Sequence, residues 1–180
     1  MSGTRYCRRQ HARERRSCLL VLVPLLLAAR PAGGGSLFSS VRDEFVVLFP
    51  SPPHVETGSV DLPGDRKASM RMYRVDEPKT EWLISATDVA QLALDRQRTL
   101  SGARSGVMEK SGGTLVSERP VRIARYEGVE LRLERPDRWV VVARICVTPR
   151  RIYQVIVMTA EERKRLPQIE RFLDSFAPEE

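Results

Sequence analysis

The chain has 180 residues, of which 42% are hydrophobic, 6% aromatic and 29% charged, and its formal net charge is +7. Residues 1–32 hold seven arginines against one glutamate, which leaves 23 basic and 22 acidic residues in the remainder. Proteins that bind nucleic acid need a dense basic surface to neutralise phosphates. The nearly neutral remainder therefore argues against a nucleic-acid partner, and it is long enough for one domain with its own core.

The N-terminal segment has the layout of a secretory leader. Its arginines precede an uncharged apolar run over residues 17–29, and three glycines follow at 33–35. The apolar core would span about 18 Å as a helix, well short of a hydrocarbon layer of about 30 Å. We interpret residues 1–32 as a signal peptide or, if uncleaved, an N-terminal anchor. We therefore expect the protein to be periplasmic or extracellular, with membrane contact only through an uncleaved leader.

The next segments predict a tether followed by hairpins. Residues 33–43 are small and polar, which predicts a flexible tether ahead of a single domain at 44–177. Phe45–Phe49 is a β-branched and aromatic run stopped by Pro50, as is typical of a strand. Strand-type segments separated by turn residues follow at 54–60, 68–75 and 81–86. Antiparallel hairpins are expected.

The pattern then changes to helical spacing over residues 89–110 and stops at Gly112 and Gly113, which predicts the first helix. Gly102 and Gly106 weaken that helix, and close approach of a neighbouring strand is the simplest explanation for both. Strands are predicted at 114–123 and 126–134, the second with one buried and one wet face.

The last third of the chain predicts the middle of a sheet and a second helix. Segments 138–148 and 152–159 are dense in Val and Ile and are expected to form the central hairpin. An apolar stripe predicts an amphipathic C-terminal helix, with Pro167 in its first turn and residues 160–165 outside it. The stripe consists of Leu166, Ile169, Leu173 and Phe176. These elements predict an α+β domain with a mostly antiparallel sheet.

Four local patterns resemble a PsbP-like domain over about residues 44–177. They are Phe45-Val-Val-Leu-Phe-Pro50, Gly128 with Glu130, Arg151-Ile-Tyr153, and Phe172-Leu-Asp-Ser-Phe176. This family is named for an extrinsic subunit of photosystem II and includes a Ran-binding import factor. The resemblance implies an α/β/α sandwich, in which helices enclose a central antiparallel sheet. It implies no catalytic motif, and we carry over no metal ligands, cofactor or partner residues from it.

The candidate catalytic side chains are few. His54 is the one histidine beyond residue 32, in what is expected to be an exposed turn, and no Gly-x-Ser-x-Gly elbow accompanies it. Cys146 lies in a dense strand, where a small buried residue is the expected role. One histidine and one cysteine without paired spacing do not supply a structural zinc site. An enzyme would require a cleft that pairs His54 or Cys146 with an acid.

Five aromatic residues on the predicted strands or beside them are candidates for lining a ligand pocket, although strand aromatics more often belong to the core. They are Tyr73, Trp82, Tyr126, Trp139 and Tyr153. We expect a non-enzymatic exported domain that binds a protein or a cell-envelope component. The alternative is a small-molecule or lipid carrier of the periplasm or extracellular space, which requires a closed apolar cavity between the sheet and a helix.

Overall fold

A computed structural model describes residues 35–62 and 66–179; the segment interpreted as a leader lies outside them. In chain order the elements are β1 (Ser36–Ser40), β2 (Phe45–Phe49), β3 (His54–Leu62), β4 (Arg66–Glu77), β5 (Thr80–Asp88), α1 (Arg96–Ser111), β6 (Thr114–Ile123), β7 (Tyr126–Glu134), β8 (Val140–Val147), β9 (Arg151–Thr159), α2 (Glu162–Ser175) and β10 (Ala177–Pro178). None of the helices in these ranges has the length and apolar character needed to span a bilayer.

Within the described residues, seven strands form the main sheet in the order β3-β4-β5-β9-β8-β7-β6. All six pairings are antiparallel. The two segments dense in Val and Ile form β8 and β9, which pair from Val140–Thr159 to Val147–Ile152 near the middle of the sheet. The prediction of an α+β domain with an antiparallel sheet and a central hairpin is confirmed.

The segment predicted as a tether instead contains strand β1, so this prediction is wrong for the described residues from 35 onwards. β1 pairs with β2 from Ser36–Phe49 to Ser40–Phe45. Although its composition is typical of a linker, Phe38 packs its ring 5.8 Å from that of Phe49. This contact and the backbone ladder hold the segment in place. β10 pairs with the other side of β2, which completes a three-stranded sheet.

Two large core clusters use alternate residues of the central strands. Val155 and Val157 of β9 belong to the first, together with residues of β2 and α2, whereas Ile156 belongs to the second, together with Val107 of α1. Successive side chains of a strand point to opposite faces of its sheet. Both faces of the central strands are therefore buried.

Helix α1 starts later than its apolar pattern predicted. The Asp95 side chain caps it by accepting a hydrogen bond from the backbone N–H of Arg98 at 2.7 Å. The expected C-terminal stop is present, because Gly112 adopts the left-handed conformation with φ of 63°. The explanation offered for Gly102 and Gly106 is wrong: a Cβ at either position would meet nothing within 4 Å. No neighbouring strand requires glycine there.

Helix α2 includes residues 162–165, so the prediction that these residues lie outside the helix, with Pro167 in its first turn, is also wrong. Pro167 lies in the second turn, where it removes the hydrogen bond to the Arg163 carbonyl. Both residues are exposed, so water can solvate that carbonyl. The opposite side of the helix packs into the core through Ile169, Phe172 and Leu173.

Candidate functional site

The turn between β1 and β2 carries a buried charged cluster centred on Asp43, whose side chain is 1% exposed. Arg71 of β4 donates to both carboxylate oxygens, from Nε and Nη2, at 2.5 Å each. The Tyr73 hydroxyl donates to the same carboxylate, and Nη1 of Arg151 lies 3.2 Å from Asp43 Oδ1. The cluster therefore joins a loop to strands β4 and β9.

Strand periodicity places these groups together. Arg71 and Tyr73 are two residues apart on β4 and share one face of the sheet. The Tyr73 hydroxyl donates its one hydrogen bond to Asp43. The Ser40 hydroxyl, at 2.8 Å, therefore donates to the phenol oxygen of Tyr73. The Tyr153 hydroxyl donates to the Asp43 backbone carbonyl at 2.8 Å. Both the main chain and the side chain of Asp43 are thereby held.

The cluster is set in one protonation state at neutral pH. Burial alone would raise the pKa of Asp43, but hydrogen bonds from Arg71 and Tyr73 and the charges of Arg71 and Arg151 bring the pKa below its ordinary value. Burial and the hydrogen bond to Asp43 raise the pKa of Tyr73. A carboxylate with a lowered pKa and fully engaged oxygens is a poor proton acceptor. The arrangement suits a structural clamp better than acid–base chemistry.

The five candidate pocket aromatics do not surround one cavity. Tyr73 and Tyr153 both pack against Phe45, at ring-centroid distances of 5.0 and 6.2 Å. Trp82 packs against Phe172 at 5.2 Å. These three candidates are at most 3% exposed and belong to one core cluster.

The other two candidates lie nearer the surface. Tyr126, half-buried at the start of β7, borders a small surface cleft. Trp139 is half-buried before β8, and its backbone carbonyl accepts a hydrogen bond from the N–H of Arg135. Tyr126 packs against the margin of the cluster that contains Tyr73, Trp82 and Tyr153, whereas Trp139 is not part of that cluster.

The candidate catalytic residues are also far apart in the sheet. His54 is exposed at the start of edge strand β3, and Cys146 is fully buried in β8. Strands β4, β5 and β9 lie between them. Across residues 35–62 and 66–179, no three His, Cys, Asp or Glu side chains are placed to hold a metal ion together.

Sequence reasoning missed Asp43, Arg71 and Arg151. A usable signal was present in β4, where alternation puts Arg71 on the same face as Tyr73 and Val75, both 3% exposed. An arginine on a buried face requires an acidic partner. That requirement points to a carboxylate elsewhere in the chain, although it does not identify Asp43.

The two edges of the main sheet differ in how open they are to another strand. β3 pairs with β4 without a break across all nine residues, contains no proline, and is uncharged over residues 57–60. β6 contains Pro120, shifts register between Leu115 and Ser117, and carries consecutive charges at Glu118 and Arg119. Proline, bulges and charges are the devices that protect sheet edges. β3 is the less protected edge.

These strands and helices define an α+β protein with a PsbP-like fold, as the sequence resemblance predicted. The chain is similar to cyanobacterial PsbP (CyanoP) from Synechocystis sp. PCC 6803, whose solution structure matches 81% of this chain and 93% of its own, with a TM-score of 0.52 and 14% identity. At this identity the likeness shows the fold alone. No protein-family model and no curated protein match the chain.

Proposed function

We propose that this protein is an exported, non-enzymatic binding domain and that its partner, a protein of the cell envelope, adds an extended segment to the edge of β3. The observation that carries the proposal is the open edge of β3, in which seven of nine residues are exposed. Such an edge presents a row of backbone N–H and C=O groups to an incoming strand. Strand addition uses those groups for affinity and the flanking side chains for specificity.

The flanking side chains of β3 give its two faces different chemistry. Val55 is 51% exposed and lies opposite Tyr73, on the face that also carries β1. His54 and Glu56 project from the other face. A partner strand with an apolar residue facing Val55 and a polar residue facing Glu56 would match this pattern.

The proposal includes the layered arrangement that the resemblance implies, with α1 and α2 covering opposite faces of the main sheet. Membership of Val107 and of Phe172 in different core clusters supports it. The space beside α2 is occupied by aromatic rings, with Phe172 5.2 Å from both Phe49 and Trp82. This filling counts against the carrier alternative, which needs an enclosed cavity there.

A matched pair of substitutions tests the binding edge. Val55 on β3 and Val116 on β6 are 51% and 52% exposed, so Val55→Lys and Val116→Lys add the same charge to opposite edges of one sheet. The partner would be captured on the immobilised full-length chain from detergent-extracted envelope, identified by mass spectrometry, and its affinity then measured with the purified protein. We expect Val55→Lys to weaken binding by roughly tenfold and Val116→Lys to leave it unchanged.

The possible outcomes separate the site from the function. Equal affinity for both variants would reject β3 as the binding edge while leaving a binding role. Failure to recover any partner whose capture is abolished by excess soluble chain would reject the binding role itself. A concentration-dependent dimer that Val55→Lys abolishes would identify the partner as a second copy and would contradict the envelope partner.

A further inference from the structure

A surface cleft of about 220 Å³ lies at the end of the sheet where α1 begins. The loop before α1, the start of β7 and the β8–β9 turn surround it. Strands β4, β5, β9 and β8 separate β7 from β3, so this feature is distinct from the proposed strand-addition edge.

The walls of the cleft are apolar. Leu92 and Leu94 come from the loop and pack with Val147 of β8 in a small core cluster of their own. Val147 is 5% exposed and both leucines are partly buried. These side chains offer contact to a hydrocarbon group and provide no hydrogen bonds.

Two polar side chains of the cleft lining, Arg96 and Tyr126, are hydrogen-bond donors, whereas the Thr148 hydroxyl is used within the β8–β9 turn, where it donates to the Arg151 carbonyl and accepts from the N–H of Arg151. Nη2 of Arg96 donates to the Glu127 carbonyl at 2.8 Å, which positions the guanidinium while its other N–H groups stay available. Nε of Arg125 donates to the Tyr126 hydroxyl oxygen at 3.0 Å. Because that bond uses the phenol oxygen as acceptor, the Tyr126 proton is available to a ligand.

The charge around these donors favours an anion. Arg96 is the first residue of α1, so the positive end of the helix dipole adds to its charge. The guanidinium of Arg125 lies 5.1 Å from the Tyr126 ring centroid. Two of the nearby acids have other partners: Asp95 caps α1, and Asp88 accepts from the backbone of Ala90 and lies 3.8 Å from Arg151. The third, Glu127, is exposed and lies opposite Arg122 of β6.

We propose that this cleft binds a small carboxylate with a short apolar body, such as a short-chain acyl or single-ring acid. The apolar body would contact Leu92, Leu94 and Val147, and the carboxylate would accept hydrogen bonds from Arg96 and Tyr126. The cleft is smaller than the roughly 300–1,000 Å³ of sites for drug-sized ligands, which restricts the body to a few carbons or one ring. This assignment does not depend on the β3 edge.

The test uses benzoate and hexanoate, with benzamide as the uncharged analogue of benzoate, titrated into the isotope-labelled full-length chain and followed by amide NMR shifts. We expect both acids to shift the amides of residues 92–96 and 126–127, and benzamide to bind at least roughly tenfold more weakly than benzoate. Arg96→Gln should weaken benzoate binding by roughly tenfold and Tyr126→Phe by a smaller factor. Arg98→Gln, an exposed arginine on the same helix turn outside the cleft lining, is the matched control and should change nothing.

Three results would overturn the proposal. They are equal affinity for benzoate and benzamide, equal loss in Arg96→Gln and Arg98→Gln, and no shifts at the cleft at millimolar acid. Far-UV circular dichroism and thermal melting of each variant would show that it is folded. Tyr126→Phe removes one hydroxyl from a half-buried ring, so it tests the carboxylate contact even if Arg96→Gln alters the loop.

Discussion

The two edges of the main sheet differ in how they are protected against pairing with another chain. β6 is protected within its own sequence by Pro120, a register shift and adjacent charges, and Arg104 of α1 forms a 2.7 Å ion pair with Glu118. β3 has no proline and no register shift along its nine residues, and its two acidic residues, Glu56 and Asp61, are separated by four uncharged residues. Within the described residues one edge of the sheet is protected and the other is open, which supports the proposal that another strand binds along β3.

The ion pairs near the two edges differ in how far they are buried. On the β4 side, Asp43 is 1% exposed and is held by arginines that are 14% and 7% exposed. On the β7 side, Glu130 accepts from Arg119 and Arg144, and Arg144 also bonds Asp174, which is 67% exposed. Burial decides how much such pairs contribute to stability. The Glu130–Arg144 pair is largely buried, at 15% and 13% exposed, so the contrast is with the exposed partner Asp174. The Asp43 cluster should contribute far more to stability than the Arg144–Asp174 pair.

The largest effect is expected from Asp43→Ala. This substitution leaves Arg71 without its carboxylate and removes the acceptor of Tyr73, which should lower the free energy of unfolding by about 3–5 kcal/mol. Arg151 keeps Glu44 at 3.4 Å and Asp88 at 3.8 Å. Asp174→Ala, at the exposed pair, should cost less than about 1 kcal/mol. Urea denaturation of both variants measures the difference. Similar losses would show that the Asp43 cluster contributes no more than a surface ion pair.

The pH dependence of stability provides a second test of the Asp43 cluster. The folded-state pKa of Asp43 lies below its ordinary value of 3.8, so its contribution is complete above that value and disappears as pH falls through the folded-state pKa. The stability difference between wild type and Asp43→Asn should be constant from about pH 7 to 5 and shrink below about pH 4. Using the difference removes the effect of Glu130, whose pKa is also lowered. A gap that stays constant into strong acid would contradict the assignment.

Pro120→Thr should weaken the protection of β6. The substitution restores a backbone N–H in the middle of an edge strand, and we expect the self-association constant to rise about fivefold, equivalent to about 1 kcal/mol. Sedimentation velocity over a concentration series measures it. Pro78→Thr, in the exposed β4–β5 turn, is the control and should not associate. If both variants stay as monomeric as wild type, proline is not what protects β6.

The smallest effect is expected in α1, the helix linked to β6. A Cβ at Gly102 meets open space, so Gly102→Ala should stabilise the protein by about 0.5–1 kcal/mol. Amide hydrogen exchange should show slightly slower exchange in β6. Gly128→Ala provides the contrast. A Cβ at this position would lie 2.4 Å from the Ile145 carbonyl oxygen, so the substitution should destabilise the sheet. A neutral or negative result at Gly102 would mean that α1 is limited by something other than backbone freedom.

Periodicity along the sequence was sufficient for most of the fold. Alternation and β-branched runs located β2, β7 and the β8–β9 hairpin because these strands bury alternate or all side chains. β1 was missed because its small polar residues resemble a linker, and its order comes from pairing with β2 and from one phenylalanine. Composition alone does not reveal such partners.

The Asp43 cluster was missed for a related reason. Arg71 and Asp43 are 28 residues apart, and Arg151 comes from a strand near the other end of the chain. Alternation indicates that Arg71 faces inward, but only the three-dimensional arrangement identifies its acid. The cleft beside Tyr126 was likewise out of reach, since three separate segments form it.

The alkylation rate of Cys146 can report how often the centre of the main sheet opens. Its thiol is 0% exposed in β8, between β7 and β9 and opposite Tyr153. An alkylating reagent can reach the sulfur only after these strands separate, so in a chain with Cys7 and Cys18 changed to Ser the labelling rate would follow the opening of the sheet's centre. Ligands that bind the native state would lower the labelling rate of Cys146, and tighter ligands would lower it more.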